Sequence, residues 1–322
     1  MKQDLGGVAG TAGLVSVVIP TYNHADFLAV AIRSVQAQTY RPIEIIVVDN
    51  FSTDETERVV SQSAHPSPTY IKFANQGIIA ASRNVGIRAA AGEYVAFLDA
   101  DDIWSPNKLE RQIAHLREPA VVLVASDLQY TGAAKYSPSR LGDGPSGSHD
   151  YEYADIVRNN PIATSSVLVR RSELERVGGF DESPEFRVIE DWDLWLRLAV
   201  NGRARVIAEK LVTYRIAPSE RSRMPILSNK LRLLDKHVRL GHLRPADLAA
   251  AARSVHFAMG VATFPTDAFT SRENFRAARK LAPTKSSAAV AAIATAATHL
   301  PKPLRFASLR ALRWANKWAR FA

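Results

Sequence analysis

Three acidic residues directly follow a short apolar run in the first third of the chain. Residues 94–98 are apolar, and Asp99, Asp101 and Asp102 come next. The run has the length and the aromatic and β-branched content of a buried strand. In an open parallel sheet, ligands bind beyond the carboxyl ends of the strands. The acids therefore stand where such a protein keeps its active site.

In extended chain Asp99 and Asp101 point the same way, and two neighbouring carboxylates repel unless a cation lies between them. Mg²⁺ or Mn²⁺ suits this position, because each is a hard ion that takes one or two carboxylates and then substrate phosphates. The alternative is an acidic turn that only caps the next helix.

The first strand of the chain also ends in polar residues. Residues 15–19 form a β-branched run that Pro20 is expected to end, since proline cannot donate to a sheet ladder. Asn23 is expected to cap the helix predicted at residues 25–37. Tyr22, between them, either stacks on a base or covers the end of the strand.

The next two elements carry further candidates for binding. A buried strand at residues 43–48 ends at Asp49, which either accepts a hydrogen bond from a base or forms an Asx-turn. A helix at residues 79–91 carries Arg83. Its guanidinium either clamps a diphosphate, for which its shape is suited, or lies on a solvated helix face.

The alternation of elements predicts the fold class. The first 105 residues read strand–helix–strand–helix–strand–helix–strand, which is typical of an α/β protein with a doubly wound parallel sheet. No Gly-x-Gly-x-x-Gly follows the first strand and no Gly-Lys-Ser/Thr follows any strand, which argues against a dinucleotide fold and a P-loop.

The second part of this domain offers one more carboxylate pair. Residues 131–150 read as a loop, and residues 161–169 as a strand with hydroxyl groups at its start. Glu190 and Asp191 begin a helix, where the helix dipole alone would favour acids. One of them could also serve as a general base.

Composition and charge divide the chain into three regions. Residues 216–322 carry 19 of the 41 Lys and Arg residues but only 5 of the 32 Asp and Glu residues. We therefore predict a flexible N-terminus (1–13), a catalytic domain (14–215) and a basic helical region (216–322). The chain has no cysteine, which excludes disulfides and thiolate chemistry. It shows no signal peptide and no apolar run long enough for a bilayer, so a cytoplasmic location is expected.

The last predicted helix is basic and amphipathic. Residues 302–322 contain six Lys or Arg residues, no acids and two tryptophans. This pattern favours binding to an anionic membrane surface, which would place the protein peripherally on the inner face of the cell membrane. The alternative is a helix docked on the acidic catalytic domain. No nucleic-acid motif is present, so no nucleic acid partner is expected.

Four motifs in order resemble those of family 2 glycosyltransferases, which are inverting enzymes with the GT-A fold. They are Val-Val-Ile-Pro-Thr-Tyr-Asn, Val-Val-Asp-Asn-x-Ser-Thr-Asp-x-Thr, Ala-Ser-Arg-Asn-x-Gly and Gly-Glu-Tyr-Val-Ala-Phe-Leu-Asp-Ala-Asp-Asp-x-Trp, and they cover residues 14–110. The resemblance implies an α/β architecture with a doubly wound mixed sheet and flanking helices, followed here by the C-terminal helical region. In the second motif, Asn50 and Phe51 stand where the family usually has Asp and Gly.

The resemblance implies a metal-dependent hexosyltransferase of cell-surface polysaccharide or glycoconjugate assembly. Its partners would be a nucleotide-sugar donor and a glycan or lipid-linked acceptor. Asp191 would be the catalytic base, Asp101 and Asp99 would hold Mn²⁺ or Mg²⁺, and Glu190 and Trp192 would face the acceptor. The hydroxyl groups at the start of residues 161–169 either meet the acceptor sugar or belong to ordinary strand residues. The donor would be bound by Pro20, Thr21, Tyr22, Asp49, Arg83, Asp99, Ala100 and Asp101.

Two other functions are compatible with acids at strand ends. A nucleotidyltransferase also combines an α/β sheet with carboxylates and a metal, but it usually has a Gly-rich basic loop early in the chain, which residues 19–24 lack. A non-catalytic nucleotide- or sugar-binding scaffold is the second alternative. Binding of nucleotide sugars in the presence of Mn²⁺ would separate these functions.

Overall fold

The computed structural model describes residues 10–132, 147–216, 223–264, 266–281, 285–300 and 305. The chain divides into two compact units, Met1–Ser219 and Glu220–Ala322. The first unit contains the sheet and every residue proposed for the active site. Strand β1 begins at Thr11, inside the stretch 1–13 that was predicted to be flexible.

The first unit alternates strands and helices as the sequence predicts. Its strands are Thr11–Thr21 (β1), Ile43–Asp49 (β2), Thr69–Lys72 (β3), Gly92–Phe97 (β4), Ile103–Trp104 (β5), Val121–Gly132 (β6), Ser148–Tyr151 (β7), Leu168–Arg170 (β8) and Arg203–Ile216 (β9). Its helices are Ala25–Gln36 (α1), Thr56–Ser61 (α2), Ile79–Ala89 (α3), Lys108–Leu116 (α4), Tyr153–Arg158 (α5), Arg171–Val177 (α6) and Glu190–Ala199 (α7).

Within the described residues the nine strands form one mixed sheet in the order β3-β2-β1-β4-β8-β6-β9-β5, with β7 paired to β9. Strands β1, β2, β3 and β4 are parallel, whereas β8 runs antiparallel to both β4 and β6. The carboxyl ends of β1, β2 and β4 therefore share one edge of the sheet. Because β8 is reversed, its amino end lies at that same edge.

The central strands are buried on both faces, as is typical of parallel sheets covered by helices. Val17 and Val18 of β1 point to opposite faces, and both are fully buried. Helix α3 comes very close to β1, because a Cβ atom at Gly86 would lie 2.3 Å from a methyl group of Val18. The glycine of the third motif thus lets α3 lie close to the sheet, and this brings Arg83, three residues earlier, close to the sheet as well.

Two details of the predicted elements are wrong. Pro20 does not end β1, which continues to Thr21 with Pro20 opposite Val48. Pro20 faces the β4 side of the strand, where pairing has already stopped at Val18, so its missing N–H costs no ladder bond. The strand predicted at 161–169 begins only at Leu168, because Thr164–Ser166 form a 3₁₀ turn in which Ser166 N–H donates to Ala163 C=O.

The loop predicted at residues 131–150 is shorter than expected at both ends. Strand β6 continues to Gly132, and β7 occupies Ser148–Tyr151, where it pairs with β9. Residues 133–146 of the predicted loop lie outside the described residues.

The second unit is helical. Its helices are Arg223–Arg239 (α8), Pro245–Thr263 (α9), Ala268–Lys280 (α10) and Lys285–Ala297 (α11). Phe257, Phe264 and Phe275 form the centre of its core, and each is almost completely buried. Among the described residues, no helix is both long and apolar enough to cross a membrane. The basic helix predicted at 302–322 lies, apart from residue 305, outside the described residues.

Candidate active site

The three acids that follow β4 have different surroundings. Asp99 is partly exposed, and one of its carboxylate oxygens accepts a hydrogen bond from Arg83 at 2.7 Å. Asp101 is also partly exposed. Asp102 is buried, and its two oxygens accept from the Ser165 hydroxyl at 2.6 Å and from the Arg215 backbone N–H at 2.9 Å. Asp99 and Asp101 thus face the ligand edge, whereas Asp102 belongs to the framework.

Like charges are concentrated in this acidic loop (residues 99–102). Burial and the neighbouring Asp99 both raise the pKa of Asp101. The same two causes, burial first, raise the pKa of Asp102 to about 8, against the hydrogen bonds that lower it. A cation beside Asp99 and Asp101 would relieve this repulsion.

The loop can supply two carboxylates to a metal ion. No group of three or more His, Cys, Asp or Glu side chains suited to hold a metal occurs in the part of the chain that the structure describes. An ion held by Asp99 and Asp101 would therefore take its remaining ligands from phosphate oxygens and water. That donor set is the one that Mg²⁺ commonly uses, so the residues present fit a divalent ion.

Arg83 connects the acidic loop to helix α7. Its guanidinium is almost fully buried and donates separately to Asp99, at 2.7 Å, and to Glu190, at 2.9 Å. Burial alone would lower the pKa of Arg83, but the charges of Asp99 and Glu190 raise it instead. The interpretation as a solvated helix face is wrong. The guanidinium is already shared by two carboxylates, which counts against its prediction as a diphosphate clamp.

Asp191 lies in the first turn of α7, next to Glu190. One of its oxygens accepts from the backbone N–H of Trp192 at 2.6 Å, and the other lies 3.4 Å from the Thr164 hydroxyl. The side chain is partly exposed, so it keeps access to a substrate. Through Arg83, Glu190 ties the start of this helix to the acidic loop.

The two residues predicted to face an acceptor are buried. Glu190 is held by Arg83, and the Trp192 indole N–H donates to the carbonyl of Ile156 at 2.8 Å. Only 8% of each residue is exposed. These contacts favour a role of Glu190 and Trp192 in positioning Asp191. Their direct contact with an acceptor stays a prediction.

The loops after β1 and β2 are joined to each other. The Asn23 backbone N–H donates to the Ser52 hydroxyl at 2.8 Å, and the Asn23 side chain accepts from Thr53 N–H. The Asp54 carboxylate accepts from the N–H of Ala25, the first residue of α1. The prediction that Asn23 caps α1 is wrong, because its side chain links the two loops instead. Much of the Ser-Thr-Asp part of the second motif, residues 52–54, is therefore structural.

The residues predicted to bind the donor at this side differ in exposure. Tyr22 is 55% exposed, whereas Thr21 is buried and its hydroxyl has no hydrogen-bond partner among the described residues. Asp49 is completely buried and accepts from Tyr70 at 2.7 Å and from the Ser52 N–H at 3.1 Å, which is the Asx-turn alternative. Pro20 and Ala100 are buried too, so they can offer only backbone or edge contacts.

Several residues at this edge were not identified from the sequence. Phe51 is 55% exposed and has a φ of 57°, a left-handed conformation that is rare for an aromatic residue. The departure from the family's glycine at this position was the available signal. Arg215, whose guanidinium lies 4.5 Å from the centre of the Phe27 ring, and Ser165 carried no signal of their own.

The fold and the acidic edge define the class of the protein. The structure matches the crystal structure of residues 1–349 of TarS from S. aureus in complex with UDP-GlcNAc, with a TM-score of 0.66. The match covers 95% of this chain and 91% of the TarS fragment 1–349 at 17% sequence identity, and it shows that the two share a fold. The predicted GT-A architecture, a mixed sheet with flanking helices and a helical C-terminal region, is confirmed.

The sequence places the chain within this class. The profile of glycosyl transferase family 2 matches residues 16–177, which is half of the chain. The chain belongs to glycosyl transferase family 2, as its four motifs predicted. It is 38% identical over 209 residues to an uncharacterized glycosyltransferase of Nostoc, covering 63% of this chain and 64% of that protein.

A second relative is the UDP-Glc:alpha-D-GlcNAc-diphosphoundecaprenol beta-1,3-glucosyltransferase WfaP of Escherichia coli. The two chains are 30% identical over 195 residues, which is 59% of this chain and 71% of WfaP. Both matches cover only part of the relative. The chain spans 64% of the length of the Nostoc protein and 71% of the length of WfaP.

Proposed function

We propose that this protein is an inverting glycosyltransferase that moves a sugar from a nucleotide-diphosphate sugar to an acceptor hydroxyl. The observation that carries the proposal is the buried ion-pair chain Asp99–Arg83–Glu190. It joins the acidic loop, which suits a diphosphate with its metal, to Asp191, a partly exposed carboxylate that suits a general base. Both groups thus belong to one hydrogen-bonded framework at the ligand edge of the sheet.

The donor nucleotide would lie across the ends of β1 and β2. Tyr22 offers an exposed ring for stacking, and the Thr21 hydroxyl, which has no hydrogen-bond partner in the part of the chain that the structure describes, offers one polar contact. Asp49 would act through Ser52 and Tyr70, which it holds in place, or meet the base after these bonds rearrange. The crystal structure of the TarS fragment contains UDP-GlcNAc, which supports a nucleotide sugar as the donor class.

The arginine pairing supports metal dependence. A diphosphate brings negative charge to an edge that already carries Asp99 and Asp101, while Arg83 is neutralised by Asp99 and Glu190. A divalent ion bound to Asp99 and Asp101 would supply Lewis-acid stabilisation of the charge on the leaving diphosphate. Mn²⁺ and Mg²⁺ both suit carboxylate and phosphate oxygens.

Asp191 performs the proton transfer in this proposal. Its carboxylate accepts the proton of the acceptor hydroxyl while the hydroxyl oxygen bonds to the anomeric carbon of the sugar. The bond between that carbon and the diphosphate oxygen breaks, and its electron pair leaves with the diphosphate. Because attack and departure occur on opposite faces, the anomeric configuration is inverted. The contact with Thr164 and the Trp192 N–H orient the Asp191 carboxylate.

The acceptor is proposed from the relatives. WfaP is a glucosyltransferase that acts on a sugar linked to diphosphoundecaprenol. We extend this to a glycan or lipid-linked acceptor in cell-surface polysaccharide or glycoconjugate assembly. A peripheral position at the inner face of the cell membrane, through residues 302–322, stays a prediction from the sequence.

The test combines a donor screen with one conservative variant. The full chain with Mn²⁺ is incubated with uridine, guanosine and thymidine diphosphate sugars, and release of nucleoside diphosphate and transfer to lipid-linked sugars are measured. Asp191→Asn should still bind the donor but lose transfer by about 100-fold or more, because an amide cannot accept the proton.

Glu185→Gln is the matched control, because Glu185 is an exposed carboxylate a few residues before α7. It should leave transfer unchanged. Transfer by Asp191→Asn at the rate of this control would refute the assignment of the base. A second incubation supplies a nucleoside triphosphate and a sugar 1-phosphate, and release of pyrophosphate there, without transfer from the diphosphate sugars, would favour a nucleotidyltransferase.

A further inference from the structure

The 3₁₀ turn Thr164–Ser166 lies between the two carboxylate groups of the site. It precedes β8, the reversed strand beside β4, so it lies next to the acidic loop although it is more than 60 residues away in sequence. All three residues of the turn are buried, and Ser165 and Ser166 are completely so. Their hydroxyl groups therefore need partners within the protein.

Ser165 makes three hydrogen bonds to residues 99–104, two through its hydroxyl and one through its carbonyl. Its hydroxyl accepts from the Asp99 backbone N–H at 3.0 Å and donates to the Asp102 carboxylate at 2.6 Å. Its backbone carbonyl accepts from the Trp104 indole N–H at 2.8 Å. One residue thus holds the beginning, the middle and the end of the stretch that carries the predicted metal ligands.

The hydroxyl cannot be removed without leaving buried groups unpaired. Without it, the Asp99 N–H would lose its partner and the buried Asp102 would keep only the Arg215 N–H. An unpaired buried polar group costs more than a typical hydrogen bond contributes, so the loop would rearrange to satisfy both groups. Asp99 and Asp101 would then no longer hold their present orientation.

The turn also reaches the proposed base. Thr164, the residue before Ser165, has its hydroxyl 3.4 Å from a carboxylate oxygen of Asp191. From the other side, the Gln112 side chain donates to the Ser166 carbonyl at 2.7 Å and so anchors the turn to α4. The turn is therefore fixed to the core and contacts both carboxylate groups.

We propose that Ser165 is a positioning residue, whose buried hydroxyl holds residues 99–102 in the orientation that presents Asp99 and Asp101 to a metal-bound diphosphate. This role rests on the proposed function for its consequence in catalysis. The hydrogen bonds themselves belong to the free protein, so they can be tested without a substrate.

Ser166→Ala is a matched control for Ser165→Ala. Ser166 is equally buried in the same turn, but its hydroxyl donates to the Ala163 carbonyl, at 2.7 Å, and among the described residues it makes no hydrogen bond to the acidic loop. Ser165→Cys is a second variant, which keeps a side chain of similar shape with a weak donor. It keeps the test valid if Ser165→Ala does not fold.

The first measurement is amide hydrogen exchange of the free full-length variants. Ser165→Ala should accelerate exchange of residues 99–102 and of Arg215 by about tenfold relative to Ser166→Ala, with Ser165→Cys in between. Strand β2 serves as an internal reference that should not change. The second measurement is the affinity for Mn²⁺ alone, followed by electron paramagnetic resonance. It should fall about tenfold in Ser165→Ala and stay within about twofold in Ser166→Ala.

Each outcome decides one part of the proposal. Equal exchange in the two serine-to-alanine variants would overturn the role of Ser165. Faster exchange without a selective loss of Mn²⁺ affinity would leave Ser165 as a merely structural residue and would also overturn it. A wild-type protein that binds no Mn²⁺ would contradict the metal site of the proposed function, and the exchange data would then decide on Ser165 alone.

Discussion

The Asp99–Arg83–Glu190 ion-pair chain predicts a large and non-additive stability effect. Arg83 is almost fully buried, and the side chains of Asp99 and Glu190 are only 27% and 10% exposed. Arg83→Met would leave two carboxylates close together without a counter-ion. Removing one partner of a buried ion pair typically costs about 3–5 kcal/mol, and we expect a loss in this range.

Glu190→Gln should lower the free energy of unfolding by less, about 1–2 kcal/mol, because Arg83 keeps its contact with Asp99 and the amide oxygen can still accept a hydrogen bond. The double variant, which combines Arg83→Met and Glu190→Gln, should lose less free energy of unfolding than the sum of the two single losses, by about 2 kcal/mol. The reason is that no buried Glu190 charge remains unpaired. The assay is urea unfolding of the full chain at pH 7. Losses that add within about 0.5 kcal/mol would refute the coupling.

Arg58→Met provides the control for this cycle. Arg58 also pairs with a carboxylate, that of Glu55, but both side chains are more than half exposed. Such surface pairs contribute little to stability, so this variant should unfold like the wild type. Arg83→Lys separates charge from geometry, because one ammonium cannot reproduce two separate guanidinium contacts.

Two further predictions concern Phe51 and Lys108. Phe51→Gly should be more stable than Phe51→Ala by about 1 kcal/mol in thermal unfolding, because the φ of 57° disfavours any side chain; equal stability would show that the loop relaxes without strain. Burial lowers the pKa of Lys108 in the folded protein well below its ordinary value of 10.5. Below pH 10.5 the unfolded chain therefore binds more protons at this residue than the folded protein does, so wild-type stability should fall as the pH decreases from that value. In Lys108→Met this pH dependence should be weaker, as measured by urea unfolding at several pH values, whereas parallel curves would refute it.

The sequence predicts much of the sheet, because its strands are short apolar runs with polar residues at their ends. Strands β1 to β4 and the helices between them follow the predicted order, and the buried strands are continuous apolar runs as expected for parallel pairing. The polar residues Tyr22, Asp99 and Asp101 lie at one edge because strand direction alone brings the carboxyl ends together.

Other parts of the site depend on tertiary contacts that no local pattern contains. Strand β8 has three residues, and its reversal between β4 and β6 brings Thr164–Ser166 to the acidic loop. A run of hydroxyl residues is equally compatible with a strand, so the turn was not predicted. The sequence marks Arg83 as a candidate but leaves open whether it clamps a diphosphate or lies on a solvated helix face. Its burial depends on tertiary packing, including the close approach of α3 to β1 at Gly86.

The use of arginine in this site has a consequence for what can bind there. Arg83 serves as an internal counter-ion, and the Arg215 guanidinium lies against Phe27 with its Nε–H 3.3 Å from the Asp101 carbonyl. Both guanidinium groups thus contact the acidic loop or its neighbours, and Arg83, which is buried and shared by two carboxylates, is not arranged like an open diphosphate clamp. A ligand that carries negative charge can approach Asp99 and Asp101 favourably only together with a cation. This arrangement favours a metal-bound diphosphate over a free one, and it makes the order of binding testable, because nucleoside diphosphate alone should bind much more weakly than with Mn²⁺.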